Sequence, residues 1–162
     1  LIEHVRTFAD PLANAAWDPD TFAGRAMPTD WQPGRHIGFE VLTCPMSRKD
    51  DKEKDVFLRH VDAAPDGNHD RAQVYCEWLA KQLAPAATVV VSRLDGFRRV
   101  KMLRRSAATG GGRRLVALER PQALLQGELR IEDPAAFAAL LARGIGRHRA
   151  FGYGMLLLRP AG

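Results

Sequence analysis

The stretch Ala123-Leu-Leu-Gln-Gly-Glu-Leu-Arg-Ile-Glu-Asp-Pro-Ala-Ala-Phe-Ala-Ala-Leu-Leu-Ala-Arg-Gly144 reads as a strand that hands over directly to a helix. In residues 123–131, Leu125, Gly127, Leu129 and Ile131 fall on one side and Gln126, Glu128 and Arg130 on the other. That period of two is the pattern of a strand with one face on a core and one face exposed. Asp133 supplies an N-cap oxygen and Pro134 a preset φ for the first helical position. Phe137, Leu140 and Leu141 then recur at helical spacing, and Gly144 stops the helix. After a glycine-rich loop, residues 153–158 form an apolar run of strand length, so the C-terminal part predicts a βαβ unit.

Upstream, the same kind of unit appears again. Gly34-Arg-His-Ile-Gly-Phe-Glu-Val-Leu-Thr43 places Ile37, Phe39 and Val41 on one face, and Pro45 ends the run. Asp70, with Gln73 three residues on, forms a capping box for a helix whose Val74, Tyr75, Trp78, Leu79 and Leu83 share one face, with Pro85 beyond its end. Residues 88–92 (Thr-Val-Val-Val-Ser) follow as a β-branched strand. Residues 97–103 and 113–118 flank the flexible tip Ser106-Ala-Ala-Thr-Gly-Gly-Gly112 and read as an inserted hairpin. Without that hairpin the order from Gly34 is βαββαβ, which predicts an α+β, ferredoxin-like (RRM-like) domain with two helices on one face of an antiparallel sheet.

Two segments stand outside this pattern. Residues 46–69 are a charged insertion: both signs crowd residues 47–55, Phe57, Leu58 and Val61 suggest a short helix, and Pro65-Asp-Gly-Asn68 breaks it. Residues 1–33 read as a poorly alternating strand (1–8) and a connector rich in Ala, Asp and Pro, with Trp17, Phe22, Met27 and Trp31 as core anchors. The chain begins at Leu1 rather than Met, and its opening reads as the middle of a longer protein. The expected division is therefore 1–33 as the tail of a preceding domain and 34–162 as the ferredoxin-like domain.

Length and composition narrow the classes. At 162 residues, with 46% hydrophobic and 27% charged residues, the chain has the make-up of a globular protein of one domain or two small ones. No run approaches the roughly 18–20 apolar residues of a membrane span. Cys44 and Cys76 lie far apart with no signal-peptide pattern before them, which points to reduced thiols and a cytoplasmic protein.

Charge is where a partner shows. The net charge is +5, yet residues 1–92 carry 10 basic and 14 acidic side chains, while residues 93–162 carry 14 and 5. Arg98, Arg99, Lys101, Arg104, Arg105, Arg113 and Arg114 occupy residues 98–114 with no acidic residue among them. Such a stretch repels itself unless a polyanion is present, which suggests nucleic acid; a merely solvated hairpin is the competing reading. The loop from Arg143 to Pro160 adds Gly144, Gly146, Gly152 and Gly154 to Arg147, His148 and Arg149, a composition that lets backbone N–H groups and cations approach phosphates. Its glycine spacing is not that of a dinucleotide site, and a tight helix-to-strand turn would need the same glycines.

This loop resembles the C-terminal glycine-rich signature of the RAMP superfamily. With Asp133-Pro-Ala-Ala-Phe137, the basic hairpin, Tyr75-Cys-Glu-Trp-Leu79 and Gly34-Arg-His-Ile-Gly-Phe39, most of the chain is similar to the CasE-type CRISPR-RNA processing endoribonucleases of the Cascade complex. The resemblance implies tandem ferredoxin-like domains, the hairpin entering the major groove of a repeat RNA hairpin, and association with other Cascade subunits. It also implies metal-independent cleavage, in which a histidine assists attack by the 2′-hydroxyl, without a small-molecule cofactor or membrane. That histidine belongs to the first domain, and no residue here matches its motif, so the catalytic helix is expected upstream of Leu1 and this chain is expected to be inactive alone. Where the family often carries Asn-Pro, this sequence has Cys44-Pro45, which leaves residues 46–68 unmapped.

Other chemistry is thinly supported. His4, His36, His60, His69 and His148 have no partners at metal-ligand spacing, so no metal site is expected. Asp50, Asp51 and Glu53 sit among Lys49, Lys52 and Lys54 and read as a solvated charge mix. Tyr75 and Trp78 could stack bases, but their helical spacing assigns them to the core. The rival to an endoribonuclease is a non-catalytic RNA-binding or assembly subunit of the same superfamily. A domain for a phosphorylated metabolite would leave the hairpin arginines unexplained.

Overall fold

The structure is a computed structural model that describes residues 28–107 and 113–162; the expected elements in residues 1–27 lie outside the described residues. A four-stranded sheet is built from β1 (His36–Thr43), β4 (Ala87–Ala107), β5 (Arg113–Ile131) and β6 (Leu156–Pro160). A small hairpin, β2 (Met46–Lys49) and β3 (Lys52–Asp55), leads into helix α1 (Val56–Ala63); α2 (Arg71–Leu83) precedes β4, and α3 (Pro134–Arg143) precedes β6. The sheet order is β4-β5-β1-β6, with antiparallel neighbours throughout. Each strand–helix–strand crossover thus joins two parallel, non-adjacent strands, which is the ferredoxin-like arrangement the alternation predicts.

The core forms where the period-two face of the sheet meets the helices. Phe39, Val41, Leu125, Leu129 and Ile131 from the sheet, Tyr75, Leu79 and Leu83 from α2, and Phe137 from α3 are all fully buried. Each such apolar side chain contributes about 1.5–3 kcal/mol on leaving water. Trp31 seals one edge, its ring 5.1 Å from that of Phe137 in an edge-on contact. Asp133 accepts from the Ala136 amide and Asp70 from the Ala72 amide, so both expected caps are made. Gln73 does not close a capping box; its amide donates to Glu77 one turn along at 2.9 Å. Among the described residues, no helix is long and apolar enough to cross a membrane.

Three expectations change. The basic hairpin is not a separate insertion, because β4 and β5 run unbroken for 21 and 19 residues from the core to the tip. Register shifts at Val89/Val91 and Leu94/Gly96 interrupt the side-chain alternation without interrupting the ladder, which is why the sequence looked like two short strands. Gly127 makes the first bulge possible: a Cβ there would stand 2.0 Å from the Val91 carbonyl oxygen. Second, residues 46–55 are a regular hairpin whose turn, Asp50-Asp51, has φ of 50° and 59°. Aspartate tolerates that left-handed pair, which suits the twist of a two-residue hairpin. Third, the last strand begins at Leu156 rather than at residue 153, because Gly154 at φ 83° takes the chain out of extended geometry.

Candidate nucleic-acid interface

β1 pairs with β5 only as far as Thr43↔Ala123, whereas β4 and β5 continue to pair with each other from Phe97↔Ala123 to Ala107↔Arg113. At about 3.3 Å per residue, the free two-stranded ribbon extends roughly 33 Å beyond the sheet. Arg98, Arg99 and Lys101 are exposed on its base. Period two sends Arg98 to the side of Val100 and Met102, and Arg99 and Lys101 to the opposite side. Arg99 meets Glu119 at 3.1 Å, but with the two side chains 59% and 50% exposed this pair contributes little and can yield to a phosphate. Arg104, Arg105, Arg113 and Arg114 continue the ladder toward the tip; their side chains lie outside the described residues.

The ribbon is fastened on both faces. On one, Met102 and Val100 pack with Cys44, Met46, Leu42 and Tyr153 in a second small core. Burial pushes the Cys44 thiol up to about 12, so it is neutral and inert. On the other, Phe97 lies 6.1 Å from the Tyr75 ring, and the Arg71 guanidinium stacks 4.3 Å from Phe97 and 3.8 Å from Phe57. Asp55 anchors this group, accepting from Arg71 at 3.1 Å and from the Tyr75 hydroxyl at 2.9 Å. Burial, and then the Asp55 charge, hold the Tyr75 hydroxyl well above its ordinary range, so it remains a donor. Tyr75 and Trp78 are core residues, as their spacing indicated.

Beside the ribbon base lies the glycine loop. Gly144 ends α3 with φ 76°, and the loop closes on itself through Ile145 N–H to Gly154 O and on β1 through Gly154 N–H to Leu42 O, both 2.8 Å. Gly154 cannot carry a side chain, since its φ is left-handed and a Cβ would sit 2.1 Å from the Ile145 oxygen. Gly146 places the loop against the Trp78 ring, and Gly152 closes a single 3-10 turn, Arg149–Phe151. His148 at φ 61° precedes that turn, a conformation that costs a non-glycine residue about 1–2 kcal/mol.

The three basic side chains of the loop do not point the same way. Arg147 donates from Nε to Glu53 Oε1 at 2.8 Å, and Arg120 on β5 donates to Glu53 Oε2 at 3.2 Å. His148 turns inward, its side chain 11% exposed and its Nε2 3.3 Å from Glu53 Oε2. Arg149 donates to the Arg143 carbonyl at 2.8 Å. Glu53 is therefore not part of a solvated charge mix; it is the hub of the site, while Asp50 and Asp51 are exposed as expected. No local signal could have found it, because its partners are 67 to 95 residues away in sequence. Arg120 was missed for the same reason. Leu118, Gly146, Arg147, His148, Arg149 and Phe151 line an open groove of about 490 Å³ over this cluster. Among the described residues, no three His, Cys, Asp or Glu side chains converge as metal ligands would.

Burial would raise the Glu53 carboxyl, but the Arg147 hydrogen bond and the charges of His148, Arg147 and Arg120 outweigh it and hold it below the ordinary range. Burial lowers His148; Glu53 opposes this, Arg120 and Arg147 reinforce it, and the net shift is downward. Both shifts mean that the unfolded chain binds protons more readily than the folded one as pH falls. Stability should therefore be unaffected by His148 above about pH 6.5, decline below it, and decline further once Glu53 titrates below about 4.5. Urea midpoints at pH 7.5 and 5.5 test this. His148→Asn, which tolerates the same φ, should reduce the difference, and an equal loss in both proteins would remove His148 from the effect.

The ribbon and the loop converge on one end of a ferredoxin-like sheet, and a family model described as CRISPR associated protein matches residues 5–160. The chain belongs to this family. Among solved structures, it is similar to CRISPR endoribonuclease Cse3 bound to a 19 nt RNA, with TM-score 0.60 and 19% identity over 80% of this chain and 57% of that one. It is also similar to Thermus thermophilus Cse3 bound to an RNA representing a pre-cleavage complex, with TM-score 0.59 and 18% identity over 86% of this chain and 60% of that one. A chain of a CRISPR RNA-guided surveillance complex matches with TM-score 0.59 and 18% identity over 87% of this chain and 66% of that one. At these identities the likeness establishes the shared fold, and this chain spans about 57% of the length of the first of them. No curated protein sequence matches the chain.

Proposed function

We propose that this chain is the RNA-binding second half of a CasE-type endoribonuclease that cuts a CRISPR precursor transcript at its repeat stem-loop and retains the product within a Cascade-type assembly. The observation that carries this reading is that the ribbon, through Leu118, and the glycine loop, through Arg147, His148 and Arg149, border one groove at the base of a basic ribbon. The ribbon carries Arg98, Arg99 and Lys101 at its base, with Arg104, Arg105, Arg113 and Arg114 further along, and the loop carries Arg147, His148 and Arg149. Cation-lined surfaces of this kind neutralise phosphates and release counterions, which gives affinity without base reading. The Cse3 structures that share this fold hold RNA.

In this reading the chemistry comes from elsewhere. Strand cleavage through a 2′,3′-cyclic phosphate needs a base within hydrogen-bond reach of the 2′-hydroxyl. His148 is poorly placed for that, being turned onto Glu53. The base is assigned instead to a histidine on the first ferredoxin-like domain, of which residues 1–33 are the tail. Incubating repeat RNA in EDTA with the 162-residue chain should give binding without cleavage, and a version extended upstream should give one cut at the base of the stem with a cyclic phosphate end. Site-specific cleavage by the short chain would overturn the assignment and point to His148. An extended protein that binds but never cuts would mean a non-catalytic RNA-binding subunit.

A further inference from the structure

Glu53, on β3, holds together groups from two other elements. A single carboxylate on β3 faces Arg147 and His148 of the glycine loop and Arg120 of β5, at 2.8, 3.3 and 3.2 Å. One negative charge thus answers two guanidiniums and an imidazole, and cationic capacity is left over. Donor capacity is left over as well: among the described residues, Arg120 Nε and His148 Nε2 are buried with no hydrogen-bond partner of good geometry. The groove is lined by Glu53, Arg147 and His148 together with Gly146, whose lack of a side chain lets a bulky anion approach, and Arg120 is joined to it through its bond to Glu53. A carboxylate held in such a fork occupies the place that two phosphate oxygens take when arginines bind phosphate.

We propose that Arg120, Arg147 and His148 form a seat for one RNA phosphodiester, in which the Glu53 carboxylate is the resident anion that RNA displaces. The proposal rests on the RNA-binding reading above and adds to it a defined phosphate position, a contributing residue outside the loop, and an internal competitor. Met46 and Asp55 hold the hairpin by contacts of their own, so the Glu53 side chain can swing away without unfolding the loop. Without RNA it keeps the cations from repelling one another. With RNA, it gives up its partners to the polyanion.

The experiment compares Glu53→Gln with wild type and with Asp51→Asn, which removes a charge from the same hairpin two residues away, where among the described residues it pairs with Arg48 alone. Binding of a short stem-loop RNA to the full chain is measured from 50 to 300 mM KCl. Glu53→Gln should bind about three- to fivefold more tightly than wild type, the size of one partly exposed ion pair. Its salt slope should stay close to that of wild type, because the same phosphate is neutralised in both complexes and only the competitor is removed. Arg147→Ala in the Glu53→Gln background should abolish the gain, and thermal melts establish that each variant folds. Weaker binding by a folded Glu53→Gln would mean that Glu53 positions the cations instead of filling their seat, and a change no larger than that of Asp51→Asn would mean a general charge effect; either overturns the proposal. Wild-type chain that fails to bind RNA at every salt concentration would overturn the functional reading, and this proposal with it.

Discussion

Replacing Arg98, Arg99 and Lys101 together with alanine is expected to cut affinity for a repeat RNA hairpin about 100-fold, at roughly 1 kcal/mol for each exposed charge-assisted contact. The dependence of log K on log salt should flatten by about 0.7–0.9 per lost phosphate contact, or about 2.1–2.7 units for all three. Folding should be intact. All three side chains are exposed, and among the described residues the one ion pair lost, Arg99 with Glu119, is more than half open to solvent on the arginine side. The ribbon is held by Met102, Val100 and Phe97, which the variant leaves in place. Binding titrations across a salt series, with a thermal melt of each protein, decide the matter. An unchanged slope in the triple variant would remove the ribbon from the interface.

Gly154→Val should be the most damaging single change in the glycine loop. The added Cβ would meet backbone, at 2.1 Å from the Ile145 oxygen and 2.9 Å from its nitrogen, and backbone cannot swing aside as a side-chain end can. The substitution also forces a β-branched residue to φ 83°. Overpacking and strain together predict a loss of about 3–5 kcal/mol. They also break the two hydrogen bonds, Ile145 to Gly154 and Gly154 to Leu42, that close the loop and fix it to β1. Gly152→Ala is the matched control, because Gly152 has φ 85° but nothing within 4 Å of the added atom. It should lose only about 1–2 kcal/mol, the cost of the left-handed backbone. Urea unfolding of the two variants side by side gives the comparison, and equal midpoints would mean that the close approach at Gly154 has no energetic weight.

Much of the fold is local information, and it was legible. The alternation of Leu125, Leu129 and Ile131, the helical stripe from Val74 to Leu83, and the caps at Asp70 and Asp133 each depend on neighbours within about one turn or one strand of sequence. Such signals survive reading in one dimension because the backbone period itself writes them. Once the strand and helix order was known, few topologies remained, and the ferredoxin-like sheet followed. The basic ribbon and the glycine loop were visible by composition for the same reason.

What only the tertiary structure decided concerns direction and partnership. The sequence alone placed Arg147, His148 and Arg149 in one basic cluster; the fold turned His148 inward, tied Arg149 to the end of α3, and left Arg147 on the groove. Glu53 looked like one charge in a run of charges until the β2–β3 hairpin carried it to the glycine loop. The continuity of β4 and β5 was likewise hidden, because bulges shift the side-chain register while the backbone ladder persists. In each case the deciding interaction joins residues far apart in the chain, and Coulomb attraction and close backbone approach depend on distance in space, which no local pattern records.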